Sequence, residues 1–269
     1  GEIVDRLAQT DRRIVPFHQK NQGVAAARNT GLDHSKGRYA AFLDGDDWYH
    51  PDFLEKMEAA LEAGDGQLAS CCFEAVGVEH PPQVKTLKAA VVDRREAMQL
   101  LMGYNSFNGY VWNKLFDLQL IRENDIRFHA DYPACDHCSR VCVTEECLYC
   151  YRQVSGGANR GRYSGRKAYD PKWMSVFEMT EYMADLYKDD AVTAACRLHE
   201  VREAGIVLRS MEAAGYHGAD HARLKGILRR GASLFFRDEN SGRSQKLSVL
   251  LSCISPKLEL AVWKLRNRK

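Results

Sequence analysis

"YAAFLDGDDWYHPDF", residues 39–53, runs an apolar stretch directly into three carboxylates. Phe42 and Leu43 have the character of a buried strand. Asp44, Asp46 and Asp47 follow at once, with Gly45 between the first two. Like charges this close repel and raise one another's pKa, so collecting them at a strand end needs a physical reason. Upstream, Val24 to about Ser35 reads as a helix with Val24, Ala27, Gly31 and Leu32 on its inner side, and Gly37 suits its stop. Downstream, "PDFLEKMEAALEAG", 51–64, reads as a second helix. Pro51 fits its first turn, Phe53, Leu54, Met57, Ala60 and Leu61 form its apolar face, and Gly64 ends it. "RIVPFHQ", 13–19, and "QLASCCFEAVG", 67–77, read as further strands.

Strands alternating with helices imply an α/β layer with parallel strands. Such sheets bind ligands at the carboxyl ends of their strands, where the acidic run lies. On position and charge alone, two readings stand. One is a divalent cation site, since Mg²⁺ and Mn²⁺ prefer oxygen ligands. The other is a solvated turn whose carboxylates face the dipole of the next helix. A calcium EF-hand loop is excluded, because Trp48 and Tyr49 stand where a ligand and a glycine would be needed. The sequence has neither a P-loop nor a dinucleotide fingerprint.

The 269 residues, 45% of them hydrophobic, suffice for one large domain or two smaller ones. With 38 basic residues against 36 acidic ones, the chain does not have the charge of a general nucleic-acid binder. After about residue 80 the pattern changes. Asp93 and Glu96 form a capping box opening a helix, "VWNKLF" reads as extended and "DLQLIREN" as a short helix. From about 170 onward the chain reads as mostly helical. No run approaches the ~20 apolar residues of a transmembrane helix. The segment 247–269 mixes apolar faces with the basic end "KLRNRK". It suits either peripheral contact with the inner face of a membrane or an ordinary packed terminal helix. A cytoplasmic location is expected. The helical pattern is already under way at Gly1, so a preceding segment is expected as well.

The run "KNQGVAAARNTGLDHSKGRYAAFLDGDDWYHPDFLEKM", 20–57, resembles the core of the family 2 glycosyltransferases. That family shows a Gly-Val-(Ser/Ala)-Ala-Ala-Arg-Asn-x-Gly helix, a strand ending in Asp-x-Asp-Asp, and a Pro-initiated helix, in this order. "WNKLFDLQLIRENDIRF", 112–128, and "LYCYRQ", 148–153, resemble later parts of members that build bacterial polysaccharide. The resemblance implies a GT-A-like mixed sheet flanked by helices, here lacking its first strands. Residues 1–165 would form this domain, with donor half 1–80 and acceptor half 81–165, and residues 166–269 a helical extension.

The implied activity is inverting, metal-dependent transfer of a sugar from a nucleotide diphosphate donor to a cell-surface polysaccharide or lipid-linked acceptor. Mn²⁺ or Mg²⁺ would offset the charge building on the leaving phosphates. By the family's motif, Asp46 and Asp44 are the metal candidates. Asp44 also lies near the donor, together with Arg28, Asn29, Gly23 and Asp47, and the Arg28 guanidinium suits phosphate. The absence of the processive-synthase Gln-x-x-Arg-Trp motif implies single-sugar transfer.

Two departures carry an alternative. The family's early Asp-Asp-Gly-Ser-like turn has no counterpart, and neither does the Glu-Asp pair that supplies the catalytic base. Asp136 is the nearest candidate base and Asp131 the next, although either also reads as a loop carboxylate. The chain is then a non-catalytic remnant or partner-binding protein of the same fold, or an impaired enzyme. Separately, Cys135-x-x-Cys138 and Cys147-x-x-Cys150 have the outline of a four-thiolate zinc site. A strand's period of two sets Cys147 and Cys150 on opposite faces, which disfavours zinc.

Overall fold

The computed structural model describes residues 1–77, 86–103, 107, 109–128, 138–152 and 169–266. Its centre is a mixed sheet. The strands are β1 (Tyr39–Ala41), β2 (Trp48–Tyr49), β3 (Leu68–Val76), β4 (Ala90–Asp93), β5 (Lys114–Asp117) and β6 (Arg140–Arg152), in the order β1-β5-β3-β6-β2, with β4 also on β6. β6 is the spine. It carries β3 along one side, and β4 and β2 one after the other on the other.

Only the β3–β6 pair is parallel; β1–β5, β3–β5, β2–β6 and β4–β6 are antiparallel. The parallel strands implied by the alternation are thus confined, among the described residues, to one pair, and the sheet is mixed as the resemblance implied. A helix between two strands permits a parallel return but does not impose one. A correction concerns 13–19, which forms no ladder. It rests instead on its helical neighbours. His18 Nε2 meets Asp5 Oδ1 at 2.7 Å, and the Phe17 and His34 rings lie 4.0 Å apart.

The helices of this half are α1 (Glu2–Ala8), which has no buried residue, α2 (Gly23–His34), α3 (Phe53–Gly64), α4 (Arg94–Met102) and α5 (Leu118–Glu123). The period of two sorts the strand side chains between two cores. Leu68 and Phe116 face the core shared with Leu32, Met98 and Ile121, while Ala69 and Leu115 face the core under Phe53, Met57 and Leu61 of α3. Leu54, expected on that apolar face, is exposed, since one residue turns a helix by about 100° away from Phe53. Pro51 stands in the turn before α3 rather than in its first turn, and Asp52 is the N-cap. Asp93 caps α4 as expected, accepting from the Glu96 backbone N–H at 2.9 Å.

After a 3₁₀ turn (Pro171–Met174) come α6 (Ser175–Tyr187), α7 (Asp190–Ala214), α8 (Ala219–Arg237), α9 (Arg243–Ile254) and α10 (Pro256–Arg266). α7 joins the two halves of the molecule. Its start, with Val192 and Cys196, enters the sheet-side core beside Met98, Met102 and Met183. Its later turns, with Val207, Leu208 and Met211, pack on Leu224, Ile227 and Leu228 of α8. Among the described residues, no helix is long and apolar enough to cross a membrane.

Candidate functional site

The acidic run leaves the carboxyl end of edge strand β1 and turns tightly, the Asp47 N–H donating to the Asp44 carbonyl at 3.1 Å. Its three carboxylates have different surroundings. Arg28 Nη2 of α2 donates to Asp44 Oδ1 at 2.9 Å, with the guanidinium carbon 5.6 Å from the Phe128 ring centre. Asp47 is turned toward the sheet. Its Oδ2 accepts from the Tyr149 hydroxyl at 2.5 Å and its Oδ1 from the Arg152 N–H at 2.7 Å. Burial raises the Asp47 pKa, the two hydrogen bonds lower it, and the Asp46 and Asp44 charges raise it again; the net direction is upward. Asp46 is exposed and has no hydrogen-bond or ion-pair partner among the described residues.

The three carboxylates therefore do not converge as a preformed three-ligand cage. What they offer is the exposed carboxylate of Asp46, unpaired among the described residues, two positions along the turn from Asp44, whose Oδ1 Arg28 holds. That donor set is hard oxygen only, and it fits Mg²⁺ or Mn²⁺, which often take one or two carboxylates and complete their shell with phosphate and water.

The turn is held from below by aromatics. The Tyr49 hydroxyl donates to the Phe42 carbonyl at 2.7 Å, and its ring stacks on Phe53 at 3.8 Å. Burial pushes the Tyr49 and Tyr149 hydroxyls well above their ordinary pKa, so both remain donors. Trp48 is partly exposed, and the Arg152 guanidinium sits 5.1 Å over its ring.

Beside the turn lies an open groove of about 570 Å³ between α2 and β1, lined by Val24, Ala27, Arg28 and Gly31 on one wall and Ala41 to Gly45 on the other. Val24, Ala27 and Gly31, expected to pack inward, face this groove, and only Leu32 of that set is buried. Gly23 begins α2 at φ 87°, a left-handed conformation that suits glycine. Asn29 grips the segment after α5 at both ends of its amide, donating to the Phe128 carbonyl at 2.9 Å and accepting from the Phe128 N–H at 2.8 Å. Arg127 pairs with Asp33 on the same helix.

The structure thus brings Arg28, Asn29, Asp44, Asp46 and Asp47 to one end of the sheet. The candidate bases Asp131 and Asp136 lie outside the described residues, as does Cys135. The other three cysteines of the zinc pattern are not brought together. Cys138 precedes β6 and Cys147 lies nine residues further along an extended chain, roughly 25–30 Å away. Cys150 instead donates its thiol to Glu74 at 3.2 Å. Sequence reading missed Tyr149, Arg152 and Phe128 as partners of the site. They stand about a hundred positions from the groups they hold, with no local pattern to announce them.

Residues 1–126 match the family model described as glycosyl transferase family 2. Bacillus subtilis EpsJ, an uncharacterized glycosyltransferase, is 31% identical over 169 residues, covering 57% of this chain and 48% of its own. B. subtilis TuaG, a putative teichuronic acid biosynthesis glycosyltransferase, is 40% identical over 78 residues, covering 28% of this chain and 29% of its own. The chain spans about half the length of EpsJ and less of TuaG. In fold it is similar to S. aureus TarS 1–349, solved in complex with UDP-GlcNAc. The TM-score is 0.56 at 13% identity, over 100% of this chain and 80% of that one. The mixed sheet flanked by helices is GT-A-like.

Proposed function

We propose that the protein transfers a sugar, with inversion, from a nucleotide diphosphate donor to a saccharide or lipid-linked acceptor in cell-envelope polysaccharide synthesis. The observation that carries this reading is the Arg28–Asp44 pair in the wall of the α2–β1 groove, with the exposed Asp46 two residues further along the same turn. A diphosphate needs both a cation and a guanidinium near it, and this corner offers a site for each. TarS, similar in fold, was crystallised with UDP-GlcNAc, which supports a uridine diphosphate sugar as the first donor to test. The teichuronic acid relative supports an envelope polysaccharide as product.

In this reading Asp46, with the free oxygen of Asp44, holds Mn²⁺ or Mg²⁺. When bound, the ion supplies Lewis-acid stabilisation to the departing phosphates. Arg28 shifts from Asp44 toward the diphosphate as the donor enters. Asp47, fixed by Tyr149 and Arg152, keeps the turn in shape. Asn29 positions the backbone at Phe128 beside the groove, and Gly23 lets the chain enter α2 in a left-handed conformation. Asp136, or else Asp131, takes the acceptor hydroxyl's proton. The exposed apolar residues Leu247, Leu250, Ile254, Leu258 and Leu265 of α9 and α10 are a surface for peripheral membrane contact near a lipid-linked acceptor.

Calorimetry of UDP binding with and without Mn²⁺ tests the reading. Binding is expected only with the metal, and Asp46→Ala is expected to abolish that metal dependence. Turnover should fall on the order of 100-fold, the effect of losing about 3 kcal/mol of charge stabilisation. Because Asp46 is exposed and unpaired among the described residues, the unfolding midpoint should stay put. Metal-independent binding, or an Asp46→Ala protein that turns over normally, overturns the proposal.

A further inference from the structure

In the helical half, α7 ends and α8 begins around a second cluster that the transfer site does not use. α7 stops at Gly215 with φ 69°, the Tyr216 N–H returning to the Met211 carbonyl at 2.9 Å. Two residues later the chain must pass beneath the Tyr216 ring. A β-carbon at Gly218 would lie 2.5 Å from the Tyr216 hydroxyl, so a larger residue there would have to displace the ring. The Tyr216 ring is itself braced against Tyr169 at 4.7 Å. This rigid turn sets His217 just before α8 and His221 in its first turn, both against Glu212 in the last turn of α7.

The side chain of Glu212 is only 4% exposed, yet it meets two imidazoles. His221 Nε2 lies 2.8 Å from its Oε1 and His217 Nδ1 lies 3.9 Å from the same oxygen. One ligand atom from each of the three lies within 4.8 Å of the others. Atoms bound tetrahedrally at about 2.1 Å from an ion stand about 3.4 Å apart, so small side-chain adjustments close the triangle. A cavity of about 320 Å³ adjoins the three and is also lined by Lys225, Ser255 and Lys257.

We propose that Glu212, His217 and His221 bind a zinc-class divalent ion that clamps the end of α7 to the start of α8. Two imidazoles and one carboxylate are a ligand set that favours Zn²⁺ over the hard ions Mg²⁺ and Ca²⁺. The fourth position is left to water or a small anion, and the anion is favoured because it offsets the combined positive charge of the ion and of the two lysines that line the cavity.

The test uses the Asp46→Ala protein, so that the acidic turn does not contribute. One equivalent of Zn²⁺ is expected by calorimetry, with a rise in melting temperature as the ion binds the folded state. X-ray absorption should show a shell of nitrogen and oxygen. His221→Ala should weaken binding at least tenfold. His217→Ala should do the same without harm to the fold, because that side chain is about half exposed. No stoichiometric binding, a sulfur-containing shell, or an affinity indifferent to both histidine substitutions overturns the proposal.

Discussion

Asp47 is a half-buried carboxylate that the acidic turn directs toward the sheet. Burial is the first cause of its raised pKa, with the neighbouring Asp46 and Asp44 charges adding to it. The folded state therefore holds this proton more tightly than the unfolded chain, where the value is near 3.8. Between that value and the raised folded one, the native state binds more protons, so stability falls as pH rises through the window and then levels off. Asp47→Asn keeps an acceptor for the Arg152 N–H and turns its amide toward the Tyr149 oxygen. Urea midpoints measured across this range in metal-free buffer should show a smaller fall with pH for Asp47→Asn than for the unsubstituted protein. An unchanged slope would mean that the pH dependence arises elsewhere.

At the scale of elements, the site depends on how α2, β1 and the segment after α5 are joined. α2 buries little of itself, and Val24, Ala27 and Gly31 are left facing the groove. Its attachment relies on polar grips, Asn29 on Phe128 and Arg127 on Asp33. Removing the Asn29 amide deletes two hydrogen bonds, each worth about 1 kcal/mol net, so Asn29→Ala should destabilise by about 2 kcal/mol. Hydrogen exchange should show the Phe128 amide losing its protection. If that amide stays protected, the grip is not what holds the segment. The α2 motif is readable in sequence down to its arginine and asparagine. Which backbone the asparagine would hold was not, because Phe128 is 99 positions away.

Across the whole molecule, the helical half is tied together by a buried ion pair. Arg209 of α7 donates to both oxygens of Glu259 in α10, at 2.6 and 2.8 Å, while the Ser248 hydroxyl of α9 also donates to Glu259 at 2.6 Å. Glu259 is 3% exposed and Arg209 stands over the Trp263 ring at 5.2 Å. Removing one partner leaves the other charge buried without compensation, which costs about 3–5 kcal/mol. Glu259→Ala should therefore lower stability by that order and open α10 to limited proteolysis. Replacing both residues with apolar ones of similar volume should recover much of the loss. A single substitution that costs under about 1 kcal/mol would show the pair to be hydrated in solution.

What the sequence determined by itself is local. The spacing of apolar residues marks α3 and β3, Asp93 announces the start of α4, and the run from Lys20 to Met57 carries the pattern of the family that it resembles. These features are legible because helix and strand periods and caps act over a few residues. The tertiary structure decided what depends on partners far along the chain. It left 13–19 without a ladder, turned most of the strand pairs antiparallel, and divided three adjacent carboxylates into one paired with Arg28, one exposed and one half-buried against Tyr149. It also gathered Glu212, His217 and His221 around one oxygen. Strand direction, burial and the partner of a charge are set by which surfaces meet when the chain folds, and no window of neighbouring residues contains that information.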